Sequence, residues 1–245
     1  MSTLFKTKII LRSYDANTGN QYEGSLKLQN IDEGFYRLLE FSFSNNLYNV
    51  NNNNNKVYVA EGVTNHTITL TNGYYTFSEL ATLLQTEMND LFSDTISVTY
   101  NDNTNKLTIS STGTFGFKFA TNTLNSARHL LGFNEVDQSL ASSQTSDIPM
   151  DINYYKHIFI EFDSSSNKQK ILSSLNNFPP TFIIKYSSND YGGLFQYVQS
   201  NTYDQYIYFD KKNISWRIYD EYKNLIVELP NWVCVLECAE IKDYK

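Results

Sequence analysis

Ile96-Ser97-Val98-Thr99-Tyr100, the turn Asn101-Asp102-Asn103-Thr104-Asn105 and the return Lys106-Leu107-Thr108-Ile109-Ser110 decide how this chain is read. Ile96 and Val98 alternate with Thr95, Ser97 and Thr99, and Leu107 and Ile109 alternate with Lys106, Thr108 and Ser110. A period of two sends successive side chains to opposite faces of a strand. The segment is therefore a β-hairpin with one apolar face and one hydroxyl-rich face, reversed by Asn and Asp, which favour turns.

The same period recurs along the chain. Leu39, Phe41 and Phe43 are expected on one face, opposite Glu40, Ser42 and Ser44. Ile68 and Leu70 alternate with threonines, and Phe115, Phe117 and Phe119 form an aromatic stripe opposite Thr114, Gly116 and Lys118. Ile158, Ile160 and Phe162 alternate with an apolar Phe159 on the reverse, as a strand buried on both sides would. Phe182-Ile183-Ile184 reads alike and follows Pro179-Pro180, which stops any preceding helix. Ile214, Trp216 and Ile218 lead into a turn from Asp220 to Asn224. Leu225, Val227 and Leu229 then form a further run, and Trp232, Cys234, Leu236 and Cys238 a last one, with Pro230 marking a strand end between them.

Two helices interrupt the strands. Thr76-Phe77-Ser78-Glu79 is a capping box, followed by Phe77, Leu80, Ala81, Leu84, Met88 and Leu91 on one helical face. A second helix is expected over roughly Leu124 to Leu131, with Leu124, Ala127, Leu130 and Leu131 inward and Gly132 as its left-handed end. Asn45 to Asn55 reads as an Asn-dominated loop whose homopolymeric part is solvated, and Ser139 to Pro149 as a polar linker. The expected fold is mainly β: a single jelly-roll β-sandwich from 1–61 and 147–245, with 62–146 as an inserted strand–helix–hairpin–helix unit.

At 245 residues and 28.3 kDa the chain can bury a sizeable core without disulfide or metal staples. Aromatics reach 15%, with 19 Tyr and 16 Phe, against 18% charged residues, a composition that favours strands and argues against disorder. The net charge of -7 leaves no basic stripe for phosphate contact, so direct nucleic-acid binding is not expected. No apolar run is long enough to span a bilayer, and Met1 to Arg12 lacks a signal-peptide core. These features point to a chain made and kept in a reducing cytosol. Cys234 and Cys238 fit that reading, since at strand spacing they lie too far apart to bridge and read as buried thiols.

Sites of chemistry are sparse. His66, His129 and His157 are scattered and form no zinc pattern with the cysteines. The sequence has no nucleophile elbow, phosphate loop, metalloprotease helix or dinucleotide fingerprint, and Gly113-Thr114-Phe115-Gly116 runs into a strand. Glu161 and Asp163, two apart on a strand, have the separation of a glycosidase pair. Their simpler reading is a solvated face opposite Ile160 and Phe162, and Asp220 and Glu221 are explained by their turn. Tyr203, Tyr206, Tyr208, Tyr219 and Tyr222 could stack on sugars, but tyrosine serves cores and protein interfaces equally well. The sequons at Asn65-His66-Thr67 and Asn213-Ile214-Ser215 are expected by chance in so Asn-rich a chain. No catalytic, cofactor or metal residue is assigned.

One combination carries a resemblance. Ile68-Thr69-Leu70, Gly73-Tyr74-Tyr75-Thr76-Phe77-Ser78-Glu79-Leu80, the hairpin from Val98-Thr99-Tyr100 to Leu107-Thr108-Ile109-Ser110, and Leu130-Leu131-Gly132-Phe133 span near a third of the chain. Together they resemble the penton, or vertex, capsid proteins of virophages and polinton-like double-stranded DNA viruses. That resemblance implies a single jelly roll that forms a homopentamer, closes five-fold vertices and contacts a double jelly-roll major capsid protein. It implies a virion location after assembly in the host cytoplasm, with no enzyme activity and no cofactor. The alternatives are a minor or cement capsid protein between capsomers, or a carbohydrate- or receptor-binding β-sandwich.

Overall fold

The structure, a computed structural model, describes residues 2–13, 23–27, 34–163, 181–186, 191–198, 207–209, 213–226, 229 and 231–243. In chain order its elements are β1 (Ser2–Arg12), β2 (Glu23–Lys27), β3 (Gly34–Ser44), β4 (Lys56–Glu61), β5 (Thr64–Thr69), α1 (Phe77–Leu91), β6 (Ile96–Asn101), β7 (Lys106–Phe117), α2 (Arg128–Leu131) and β8 (Ala141–Thr145). They continue with β9 (His157–Asp163), β10 (Thr181–Lys185), β11 (Leu194–Val198), β12 (Ile207–Phe209), β13 (Asn213–Tyr219) and β14 (Val233–Asp243). They belong to two units, one of 1–47 with 155–245 and one of 48–154.

In the first unit one sheet runs β1-β14-β3-β11, with β12 also pairing β3, and the other runs β10-β9-β13-β2. Every described pairing within them is antiparallel. Leaving aside the short β12, successive strands of this unit fall in the first, second, first, second, second, first, second and first sheet. That winding is the jelly roll. The insertion enters between its third and fourth strands, after β3 and before β9. β1 and β14 pair without a break, from Ser2 opposite Asp243 to Arg12 opposite Val233.

The core of this unit follows the alternation. Ile9 and Leu11, Ile158, Ile160 and Phe162, Trp216 and Ile218, and Trp232, Cys234, Leu236 and Cys238 are all buried. β3 departs from the expected phase. Tyr36 and Leu38 are buried in its first half, and Phe41 and Phe43 in its second. The register against β14 skips from Glu40 opposite Val235 to Leu38 opposite Leu236, which leaves Leu39 as a bulge. One extra residue inverts the pattern, so Leu39 does not share the face of Phe41.

β10 differs as well. It is an edge strand, with Phe182 and Ile184 buried and Ile183 58% exposed, so it is covered on one face only. Leu225 makes an isolated bridge to Tyr219, and Ile226 is the buried residue of its pair, donating to the Ile218 carbonyl. Val227, Pro179, Pro180 and Pro230 lie outside the described residues.

In the second unit a sheet of order β5-β4-β7-β6 is joined by β8 along β7. α1 begins at the expected cap: the Glu79 amide donates to Thr76 Oγ1 and Glu79 Oε2 accepts from the Thr76 amide. Its buried face, Leu80, Ala81, Leu84 and Met88, belongs to a core with Val57, Val59, Ile109 and the stripe Phe115, Phe117 and Phe119. Phe117 stacks on Phe119 at 5.0 Å and meets Phe133 at 4.7 Å.

The sequence pattern alone starts this unit at 62. β4 lies with it because Val57 pairs with Ile68, and Val59 with both His66 and Phe117.

Three local expectations are corrected in this unit. α2 spans only Arg128–Leu131, and Leu124 is 74% exposed. The backbone ahead of α2 is used otherwise. The Asn125 carbonyl accepts from the Lys56 amide, the Ala127 amide donates to the Lys56 carbonyl, and Asn125 has φ +52. Gly132 is the left-handed cap as expected, at φ +79, where an added Cβ would fall 2.3 Å from the Ile148 carbonyl oxygen.

The stretch read as a linker contains β8, which pairs Ser143 with Ser110 and Thr145 with Thr108. The Asn-rich stretch is in good part buried: Asn45, Asn49, Asn51, Asn54 and Asn55 are all inside. Asn49 Oδ1 accepts from the Tyr75 amide at 2.9 Å while its Nδ2 donates to the Tyr75 carbonyl at 2.7 Å. The amide thus pairs with the chain as a neighbouring strand would. Asn54 Oδ1 accepts from the Asn51 amide, and Asn54 Nδ2 donates to the Asn49 carbonyl.

Candidate functional site

The residues considered for chemistry do not converge. Glu161 is half-exposed on the face opposite buried Ile160 and Phe162, and its register partners are Thr181 and Arg217. The side chain of Asp163 is outside the described residues. Asp220 is buried as a turn organiser: its Oδ1 accepts from the amides of Tyr222 and Asn224 at 2.8 Å. Glu221 Oε1 accepts from the Lys156 amide at 3.3 Å.

The histidines are far apart in role. His129 is exposed within α2, and His157 opens β9 near the Phe159 ring. His66 lies on Phe92 with its Nε2 3.6 Å from Glu61 Oε2. Glu61 Oε1 in turn accepts from the Ser93 amide and hydroxyl. Although its partial burial opposes ionisation, these bonds, the Asp94 amide and nearby His66 hold the Glu61 carboxyl below its ordinary range. The serine hydroxyl is committed to the carboxylate and not to the imidazole, so this cluster ties the β4–β5 hairpin to the end of α1. It is not a nucleophile–base pair.

Cys234 and Cys238 are buried, and burial pushes the Cys234 thiol far up. Gly113 packs on the Asp94 carboxylate, where a Cβ would fall 1.8 Å from Oδ2. It is a close approach, not an anion cradle. Among the described residues no group of three metal-ligating side chains occurs, and no helix is long and apolar enough to cross a membrane.

What the structure offers is surface. On the outer face of the β10-β9-β13 sheet, Ile183, Phe159 and Tyr219 form one cross-strand row. Phe159 and Tyr219 stack at 5.4 Å with only 7° between planes. Cross-strand rings that stack face to face spend their π faces on each other and present edges outward, whereas a sugar platform needs a ring face turned to solvent. The row is therefore an apolar ridge suited to protein packing. Tyr222 is exposed in the following turn. Tyr203 and Tyr206 lie outside the described residues, and Tyr208 is placed only as a backbone position in β12 opposite Phe35.

The outer face of the other sheet carries the row Ile10, Val235, Glu40 and Val198, with Gln196 Nε2 donating to Glu40 Oε1 at 3.0 Å. The second unit turns a different face outward. Ser97, Ser110 and Ser143 form one cross-strand row and Thr99, Thr108 and Thr145 the next, with Thr108 and Thr145 hydroxyls 3.1 Å apart. These two rows are uncharged and made of short side chains, with Lys106 next along the same face of β7. The rows became visible only with the strand register, although the threonine and serine alternation was present in the sequence.

No protein-family profile matches the chain, and no curated protein matches it. Among solved structures the chain is similar to the crystal structure of the mavirus penton protein, with a TM-score of 0.53 and 13% identity. The alignment covers 98% of this chain and 100% of that one, so the likeness in fold extends over both units.

Proposed function

We propose that this protein is a penton capsomer: a structural virion component that forms a homopentamer and closes the five-fold vertices of an icosahedral double-stranded DNA virus capsid. The observation that carries the reading is the likeness to the mavirus penton protein over the whole length of both chains, insertion included. The jelly-roll winding supports it, as does the outward row of Ile183, Phe159 and Tyr219, which suits packing against a neighbour. Five copies would close by head-to-tail contacts, each using two different surfaces related by a fixed rotation. Its partners are then copies of itself and a double jelly-roll major capsid protein. The role is geometric and needs neither cofactor, catalysis nor direct contact with nucleic acid. Its location is the virion, after assembly in the host cytoplasm.

Co-expression with the major capsid protein of the same virus, followed by sedimentation of the particles, tests this. Recovery of the chain at about five copies per vertex agrees with the proposal. Recovery in proportion to the capsomer faces would favour a cement protein.

A further inference from the structure

The second unit is joined to the first by two connections, one leaving after β3 and one returning before β9, and Tyr186 of the first unit touches residues of both. Tyr186 follows β10 and is buried. Its hydroxyl hydrogen-bonds Asn45 Oδ1 at 2.5 Å, and its amide donates to the Lys156 carbonyl at 2.9 Å. Its ring stacks on Phe43 at 6.2 Å, packs on Phe195 at 5.4 Å and meets the edge of Tyr155 at 6.4 Å. Asn45, fully buried, is in turn strapped to the start of β11. The Asn45 amide donates to the Gly193 carbonyl at 2.8 Å, and its own carbonyl accepts from the Gly192 amide at 2.7 Å.

We propose that Tyr186 is the anchoring post of the inserted unit, fastening the outgoing connection through its hydroxyl and the returning one through its ring and backbone. The division of labour follows from the chemistry of each contact. The phenol oxygen donates to Asn45 Oδ1, and among the described residues Asn45 Nδ2 is buried without a hydrogen-bond partner, so removing the hydroxyl strands the Asn45 side-chain amide. The returning strand is held by the Lys156 carbonyl and the Tyr155 ring, which a phenylalanine at 186 would still satisfy.

Amide hydrogen exchange on the full chain tests this with Tyr186→Phe and Asn45→Ala. Both variants should exchange the Asn45 and Gly192 amides roughly ten- to a hundredfold faster. The Tyr186-position amide and the β9–β13 ladder should keep their wild-type protection. Tyr186→Ala should release the returning side as well. Unchanged protection at Asn45 and Gly192 in Tyr186→Phe would overturn the proposal. So would an acceleration spread evenly over all strands of the sandwich, since the hydroxyl would then be an ordinary contributor to the core.

Discussion

Trp216, in β13, and Trp232, directly ahead of β14 of the other sheet, meet edge to face with ring centroids 5.9 Å apart and 83° between planes. They are the two tryptophans of the chain, both lie in the first unit, and both are fully buried. Among the described residues Trp216 Nε1 is buried with no hydrogen-bond acceptor. Tryptophan fluorescence therefore reports the jelly roll alone. During denaturant unfolding it should trace a transition distinct from that of far-UV circular dichroism, which sees both units. A single coincident transition would mean that the units unfold together.

The second unit carries its own closed core, drawn wholly from residues between Val50 and Met150. A fragment of residues 48–154 should fold alone, with a cooperative melt and dispersed amide resonances. A fragment of 62–146 should not, because it loses Val57 and Val59 and with them the partner strand of β5 and β7. Equal behaviour of the two fragments would refute this.

Asn49→Ala removes both bonds to the Tyr75 backbone from a buried position and should destabilise the second unit by about 1–3 kcal/mol. Asn53→Ala, at an exposed position of the same run, should cost under about 0.5 kcal/mol. Urea titration of the 48–154 fragment measures both.

Neither cysteine should react with a small thiol reagent in the folded protein, and both should react after unfolding. In the unfolded chain a thiol ionises near about pH 8.5. The folded Cys234 thiol stays protonated well above that. The stability it contributes is complete below about pH 8.5 and falls as the pH rises further. Cys234→Ala, compared with wild type between pH 7 and 10, should flatten that decline.

The parts of the fold legible in the sequence are those in which one residue type has one job. The capping box at Thr76 and Glu79, the left-handed Gly132 and the stripe Phe115, Phe117 and Phe119 each stand where the pattern put them. Where one residue type can do two jobs, the pattern misled. Asparagine is a polar loop residue by composition, yet Asn49 and Asn54 are buried because an amide can imitate the backbone groups it pairs with. β8 is a strand with no apolar face, held by its ladder and by hydroxyl contacts, so periodicity had nothing to register. The Leu39 bulge inverts the phase of β3 without altering its composition. As for function, an assembly surface has no motif. The row Ile183, Phe159 and Tyr219 joins three strands far apart in the chain and exists only once their register is set.

The central claim is that this chain is a closed five-fold building block, and electron microscopy of the purified protein at high concentration tests it most directly. Image averages are predicted to show rings with five equal subunits, accompanied by a solution mass of five chains. Rings of any other order, or an assembly closed by a two-fold axis alone, would contradict the account.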